Sequence, residues 1–172
     1  MTEPLTINRL VHAAVRRDLD RLSRALDEFR DGDLDRARAV ALAFGNLRHE
    51  LTRHHEGEDT YIWPMMAGVG VDPVLLGEME AEHHAMAEAL TGSDAAMSAF
   101  GRSGSAADAA AARASVVRTR EVVDRHLAHE ESELEPELNR YMETPEWKAV
   151  EKNSAGSHRV WPGSSSPGSP TG

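Results

Sequence analysis

The chain of 172 residues contains no cysteine, few aromatic residues and no long uninterrupted hydrophobic run. The absence of cysteine excludes disulfide frameworks, thiolate metal sites, iron–sulfur clusters and cysteine nucleophiles. No apolar stretch approaches the roughly 20 residues of a transmembrane helix, and no basic segment followed by an apolar one marks a signal peptide. A formal net charge of -10 disfavours nucleic acid and anionic membranes as partners, because both are polyanions. We therefore expect a cytoplasmic protein. Separately, the ratio of 17 arginines to two lysines is typical of a protein from a GC-rich bacterial genome.

Turn-forming segments divide residues 1–142 into four long helical segments. The breaks fall at residues 31–33, 67–73 and 101–105, which are rich in Gly, Asp and Ser. Between the breaks, apolar residues recur every three or four positions, as one buried face of a helix requires. Four long helices joined by short connections predict an all-α fold, an up-down-up-down antiparallel four-helix bundle over residues 1–143.

Residues 144–172 are predicted to form a short C-terminal extension and a flexible tail. A threonine cap and a proline in the first turn predict a short fifth helix over residues 144–152, from which Trp147 would close one end of the bundle. Residues 153–172 are rich in Ser, Gly and Pro, a composition that predicts a solvated tail. Trp161 is the only large aromatic side chain in that tail.

Histidines and acidic residues interrupt two of the predicted buried faces. The face of the second segment reads Phe44, Leu47, Leu51, His54, Glu58, Tyr61 and Met65, and that of the fourth reads Val116, Thr119, Val123, His126, Glu130 and Glu133. Burying an ionised carboxylate is costly unless it is paired or bound to a metal ion. Glu58 and Glu130 each lie one turn after a histidine, so they predict a shared cation.

The first and third segments contribute one histidine each. His12 lies on the apolar face of the first segment, and either His83 or His84 lies on that of the third. Helical phase favours His83, whereas the spacing of an internal repeat, in which His54 to Pro64 recurs 72 residues later, favours His84. Two repeated hairpins would place four imidazoles and two carboxylates at the bundle centre, a site for two metal ions.

This pattern resembles the hemerythrin-like, HHE cation-binding family over about residues 7–142. The family signature is a His on the first helix, His-x-x-x-Glu on the second, a His on the third and His-x-x-x-Glu on the fourth. The ligands that the resemblance implies are His12, His54, Glu58, His83 or His84, His126 and Glu130. It also implies a non-heme di-iron centre in which the two glutamates and an oxo or hydroxo group bridge the irons. Imidazole and carboxylate ligands also suit manganese or zinc.

The third segment departs from the oxygen-carrying members of the family, which have His-x-x-x-His on that helix. The residue four positions after His83 is Ala87, and the residue four positions after His84 is Glu88. A fifth imidazole is therefore not expected from the third helix.

Tyr61 and Glu133 occupy matching positions, seven residues after the histidines of the two motifs. We expect them to be extra ligands or hydrogen-bond partners of the ligands; the alternatives are a core tyrosine with a satisfied hydroxyl and a Glu133 at the solvated end of the bundle. Glu133 or a histidine off the predicted face would move protons during catalysis. Of the acidic run after residue 129, only Glu130 and Glu133 are predicted to face inward. The remaining histidines are expected to be solvated or to lie outside the ligand shell: His49, His55, His129 and, in the tail, His158.

Glu88, Glu133 or Tyr61 would be an anionic ligand in place of an imidazole. An anionic ligand would stabilise ferric iron. We therefore expect a centre that decomposes hydrogen peroxide in a catalase-like reaction. The alternatives are reversible binding, carriage or sensing of O2 or NO, and metal storage, which is the weakest because two bound ions do not form a mineral core. The sequence is compatible with an enzyme and with a binding protein. The expected partners are small molecules, namely hydrogen peroxide, O2 or NO, and no protein partner can be identified.

Overall fold

The computed structural model describes residues 6–155, and every regular element in that range is helical. Two π-helical turns continue two of the α-helices: the first, Glu58–Ile62, joins α2 to α3, and the second, Glu130–Leu134, joins α5 to α6. The α-helices are α1 (Ile7–Asp27), α2 (Leu34–Gly57), α3 (Trp63–Gly68), α4 (Pro73–Ser103), α5 (Ala106–His129), α6 (Glu135–Leu138) and α7 (Pro145–Ala155). The all-helical prediction is confirmed. None of the described helices is both long and apolar enough to cross a membrane.

Local signals set the ends of the long helices. Asp33, Asp72 and Ser105 each accept a backbone N–H in the first turn of α2, α4 and α5, as N-cap residues do. Gly104 ends α4 with a φ of 58°, and a Cβ there would lie 3.1 Å from the Cα of Leu34. Glycine is therefore favoured at this turn by both its conformation and its size.

The four long helices pack into a bundle around a shared apolar core. α4 contacts α2 and α5, and α1 contacts α5 and α2. Fully buried side chains such as Leu19, Phe44, Met97 and Phe100 fill this core. Burial of these side chains provides the main driving force for association of the helices.

A second apolar cluster is formed largely by residues that follow the two His-x-x-x-Glu motifs in the sequence. It includes Trp63, Met66 and Leu134, together with Trp147 of α7, which is only 4% exposed. The predicted fifth helix is confirmed, but it extends to Ala155 rather than ending at residue 152. Residues 1–5 and the predicted tail beyond residue 155, with Trp161 and His158, lie outside the described residues.

Candidate metal centre

The π-helical turns determine which side chains follow the two motifs into the bundle. The backbone N–H of Trp63 donates to the carbonyl of Glu58, and that of Glu135 donates to the carbonyl of Glu130, five residues earlier in each case. A π turn contains more residues than an α turn, so it rotates the residues after it relative to the face before it. Glu58 and Glu130 therefore remain on the buried face, but the residues beyond them change phase.

Seven ionisable side chains are buried together where α1, α2, α4 and α5 approach one another. Each is 7% exposed or less: His12, His54, His55, His83, His126, Glu58 and Glu130. Neighbouring imidazole rings lie between 4.4 Å (His55 to His83) and 5.7 Å (His12 to His54) apart, measured between centroids. These five histidines and two glutamates are called the polar cluster below.

One part of the polar cluster has the geometry of a single metal position. His55, Glu58, His83 and His126 each offer a ligand atom, and the four atoms lie within 4.8 Å of one another. Three imidazoles and a carboxylate are ligands that iron, manganese and zinc all accept. This group could hold a metal ion.

The two glutamates connect this group to the other histidines. Glu58 contacts His54 Nε2 at 3.1 Å through Oε1 and His83 Nε2 at 3.5 Å through Oε2. Glu130 Oε2 lies 3.2 Å from His12 Nε2 and 3.8 Å from His126 Nε2. Each carboxylate therefore lies between a histidine of the first group and one of the remaining pair, His12 and His54.

Several ligand atoms of the polar cluster are unsatisfied. Six of them are buried and have no hydrogen-bond partner within residues 6–155: Nε2 of His12, His55, His83 and His126, and Oε2 of Glu58 and Glu130. Buried polar atoms are normally hydrogen-bonded, because an unpaired one loses its hydration without compensation. A metal ion would supply the missing partner, so the donor set fits such a group.

Carboxylates outside the polar cluster hold the opposite ring nitrogen of three histidines. The pairs are His12 Nδ1 with Glu131 at 2.9 Å, His83 Nδ1 with Asp59 at 2.7 Å, and His126 Nδ1 with Glu82 at 2.9 Å. An ionised carboxylate only accepts hydrogen bonds, so Nδ1 carries the proton in each pair. In the neutral ring Nε2 then keeps a lone pair with which it can bind a metal ion.

The histidines of the polar cluster differ in their tendency to ionise. Burial lowers the pKa of His54 to about 4 and the pKa of His55 well below its usual value. Burial also lowers the pKa of His126, despite the nearby carboxylates. For His12, burial is outweighed by the contacts with two glutamates, which raise its pKa. Most of the imidazoles are therefore held neutral, the form that binds metals.

The two buried glutamates titrate in opposite directions. Burial, together with the charge of Glu130, raises the pKa of Glu58 well above its usual value. Burial also disfavours ionisation of Glu130, but the pKa of Glu130 is lowered to about 2, and the hydrogen bond and charge of His12 are the main opposing causes. The amide of Asn8 donates to Glu130 Oε1 at 2.8 Å and supports the ionised form.

The structure places all of the ligands implied by the sequence resemblance in the polar cluster. Between the two alternatives on α4, His83 is buried in the cluster and His84 is exposed. Ala87 and Glu88, the residues four positions after His83 and His84, are both exposed.

His55 was the ligand candidate that sequence reasoning missed. It was expected to be solvated or outside the ligand shell because it lies off the predicted stripe, but its ring is buried beside His83 and His126. Adjacent residues on a helix point about 100° apart, yet the rings of His54 and His55 both lie in the polar cluster, with their centroids 5.4 Å apart. Two consecutive histidines next to a predicted metal motif were the available signal. α2 therefore contributes the fifth imidazole of the polar cluster.

The prediction that Glu133 faces inward is wrong, whereas the role predicted for Tyr61 stays a prediction. Glu133 is exposed and Tyr61 is half-buried against the second apolar cluster, whereas Ile62 and Leu134 are buried. The physical reason is the extra residue in each π turn, which moves the buried position from the third to the fourth residue after the glutamate.

The acidic run after His129 was also misjudged in part. Glu131, predicted to be solvated, contacts His12, and Glu135 is buried with its Oε2 accepting from Arg9 Nε at 2.6 Å. His129 is half-buried, with Nδ1 donating to Glu82 Oε1 at 2.9 Å, and His49 is exposed.

Comparison with known proteins gives one family. Residues 4–138 match the hemerythrin HHE cation binding domain. Searches of the curated proteins and of the solved structures each found no significant match.

Proposed function

The chain belongs to the hemerythrin HHE cation-binding domain family, and we propose that it binds two iron ions in the polar cluster and uses them to decompose hydrogen peroxide. The observation that carries the metal assignment is the convergence of unsatisfied Nε2 and Oε2 atoms in a buried site. The proposal includes an up-down-up-down arrangement of the long helices in a domain comprising residues 1–143. Manganese or zinc ions suit the same donors.

The contacts suggest how the ligands are divided between the two ions. His55, His83 and His126 would bind the first ion, and His12 and His54 would bind the second. Glu58 and Glu130 would bridge the ions, because each contacts one histidine of either group.

The surroundings of the histidines support peroxide chemistry. A hydrogen bond from Nδ1 to a carboxylate makes an imidazole a stronger donor, which favours ferric iron. The side chains of Glu131, Asp59 and Glu82 are 23%, 44% and 27% exposed. Protons from solvent therefore reach groups in direct contact with the ligand histidines. A pair of iron ions supplies Lewis acidity and two-electron redox chemistry, and two molecules of hydrogen peroxide yield one of O2 and two of water.

The buried His55 favours a second candidate function, reversible binding of O2 or NO. With His55 the polar cluster contains five imidazoles, the number that the oxygen-carrying members of the family use. Such a function requires that the reduced centre survive contact with O2, which ready access of protons opposes.

Iron analysis tests the metal assignment. His54→Ala and Glu130→Ala should lose iron while keeping most of their helicity, and the exposed-site variants His49→Ala and Glu133→Gln should keep two ions per chain. Full iron occupancy in both cluster variants would refute the assignment.

Oxygen evolution from added peroxide separates the two functions. The iron-loaded protein should release O2, and the reduced protein should oxidise rapidly in air. A stable, reversible oxygenated spectrum without O2 evolution would establish the binding function instead.

A further inference from the structure

The acidic residue that follows each bridging glutamate also repeats along the chain. Asp59 follows Glu58, and Glu131 follows Glu130. Both acids lie in π-helical turns. Because successive helical residues point in different directions, the second acid of each pair points away from the glutamate before it and lies outside the polar cluster.

Each second acid contacts the polar-cluster histidine on the first helix of the other helical hairpin. Asp59 Oδ1, from the hairpin of α1 and α2, lies 2.7 Å from Nδ1 of His83 on α4. Glu131 Oε1, which follows α5 in the hairpin of α4 and α5, lies 2.9 Å from Nδ1 of His12 on α1. The two contacts are therefore equivalent within the repeat, and each joins one hairpin to the other.

We propose that Asp59 and Glu131 are positioning residues, each of which fixes the ring orientation and tautomer of one histidine and so sets the affinity of one metal position. Asp59 acts through His83 on the first ion, and Glu131 acts through His12 on the second. This inference rests on the proposed two-ion site. Carboxylates that hold ligand histidines typically contribute about 10–100-fold to metal affinity.

Glu131 is held more firmly than Asp59. Arg16 donates to Glu131 Oε1 at 2.7 Å and to Oε2 at 3.2 Å. These two hydrogen bonds hold the carboxylate in place beside His12. Asp59 is 44% exposed, so solvent competes more easily for its contact with His83. We therefore expect the larger loss of affinity from Glu131→Ala.

Titration of the full-length, metal-free protein with Co²⁺ tests this proposal. Calorimetry would resolve the two binding steps, and the visible ligand-field absorption of Co²⁺ would report the ligand geometry. Asp59→Ala and Glu131→Ala should each weaken one step by about 10–100-fold and change its absorption, while the other step is retained. Asp59→Asn and Glu131→Gln, which keep an acceptor oxygen, should recover part of the loss.

Double-mutant cycles distinguish positioning from general damage to the fold. In a His12→Ala background Glu131→Ala should have no further effect, and in a His83→Ala background Asp59→Ala should have none. Matched controls in the same stretches of helix are the exposed residues Glu133 and Glu56, whose alanine variants should bind as the wild type does.

The outcomes separate this inference from the proposed function. Wild-type protein that binds fewer than two Co²⁺ ions refutes the two-ion site and the positioning roles together. Wild-type protein that binds two ions, with both alanine variants unchanged or with additive effects in the double mutants, refutes only the positioning roles.

Discussion

Without metal, the protein should lose stability as the pH falls from 7 to 5, and His54 should be a principal cause. Burial lowers the pKa of His54 to about 4 in the folded state, against an ordinary value of about 6.5 in the unfolded chain. Between these values the unfolded state binds more protons, so the free energy of unfolding rises with pH. Integrating this difference from pH 5 to pH 7 gives about 2 kcal/mol for His54 alone.

Chemical denaturation of chelator-treated protein at the two pH values measures this effect. His54→Leu should reduce the loss between pH 7 and pH 5 by about 2 kcal/mol relative to wild type, which corresponds to about 4–8 °C in melting temperature for a chain of this size. The exposed variant His49→Gln should retain the wild-type pH dependence. Comparing variants is essential because His55 and His126 titrate in the same sense, whereas the raised pKa of His12 acts in the opposite sense.

An equal loss of stability in His54→Leu and wild type would refute the reasoning. It would mean that His54 is protonated in the folded state near pH 6, and so is not held neutral by burial.

Three further substitutions test other parts of the structure. His55→Ala should leave about one tightly bound metal ion per chain by elemental analysis, and two ions would contradict the role of His55 in the first metal position. Trp147→Ala should lower the free energy of unfolding by about 3 kcal/mol, because a buried aromatic side chain is lost, without changing metal content; unchanged stability would contradict the packing of α7. Gly104→Ala should lower stability by at least about 1 kcal/mol because of the left-handed backbone, and a higher melting temperature would argue against that turn.

The sequence predicted the fold because its signals are local and strong. Apolar residues at helical spacing and glycine-containing breaks identify the long helices, and the cap at Thr144 with Trp147 identifies the fifth. Buried carboxylates are so costly that Glu58 and Glu130 on apolar faces indicated a cation before any helix was placed in space. The structure brings these two glutamates and the implied histidines together.

The π-helical turns were not predicted, although the repeat contained a signal for them. Pro64 and Pro136 each come six residues after the glutamate of a motif. A proline inside a helix has no N–H to donate and clashes with the carbonyl four residues before it, here that of Thr60 or Ser132. A wider π turn just before the proline relieves this clash, so a repeated proline should have shifted the predicted buried face by one residue.

This shift of phase also determines which acidic side chains are buried at the candidate site. With uninterrupted α-helical periodicity, Glu133 would have entered the bundle as a third buried carboxylate beside Glu58 and Glu130. The π turn buries Leu134 in that region instead and leaves Glu133 exposed. The additional carboxylates therefore contact the histidines at Nδ1, from outside the polar cluster, and are not further acids buried within it. The two turns thus keep the interior rich in neutral imidazoles while carboxylates in contact with solvent adjust the donor strength of those imidazoles.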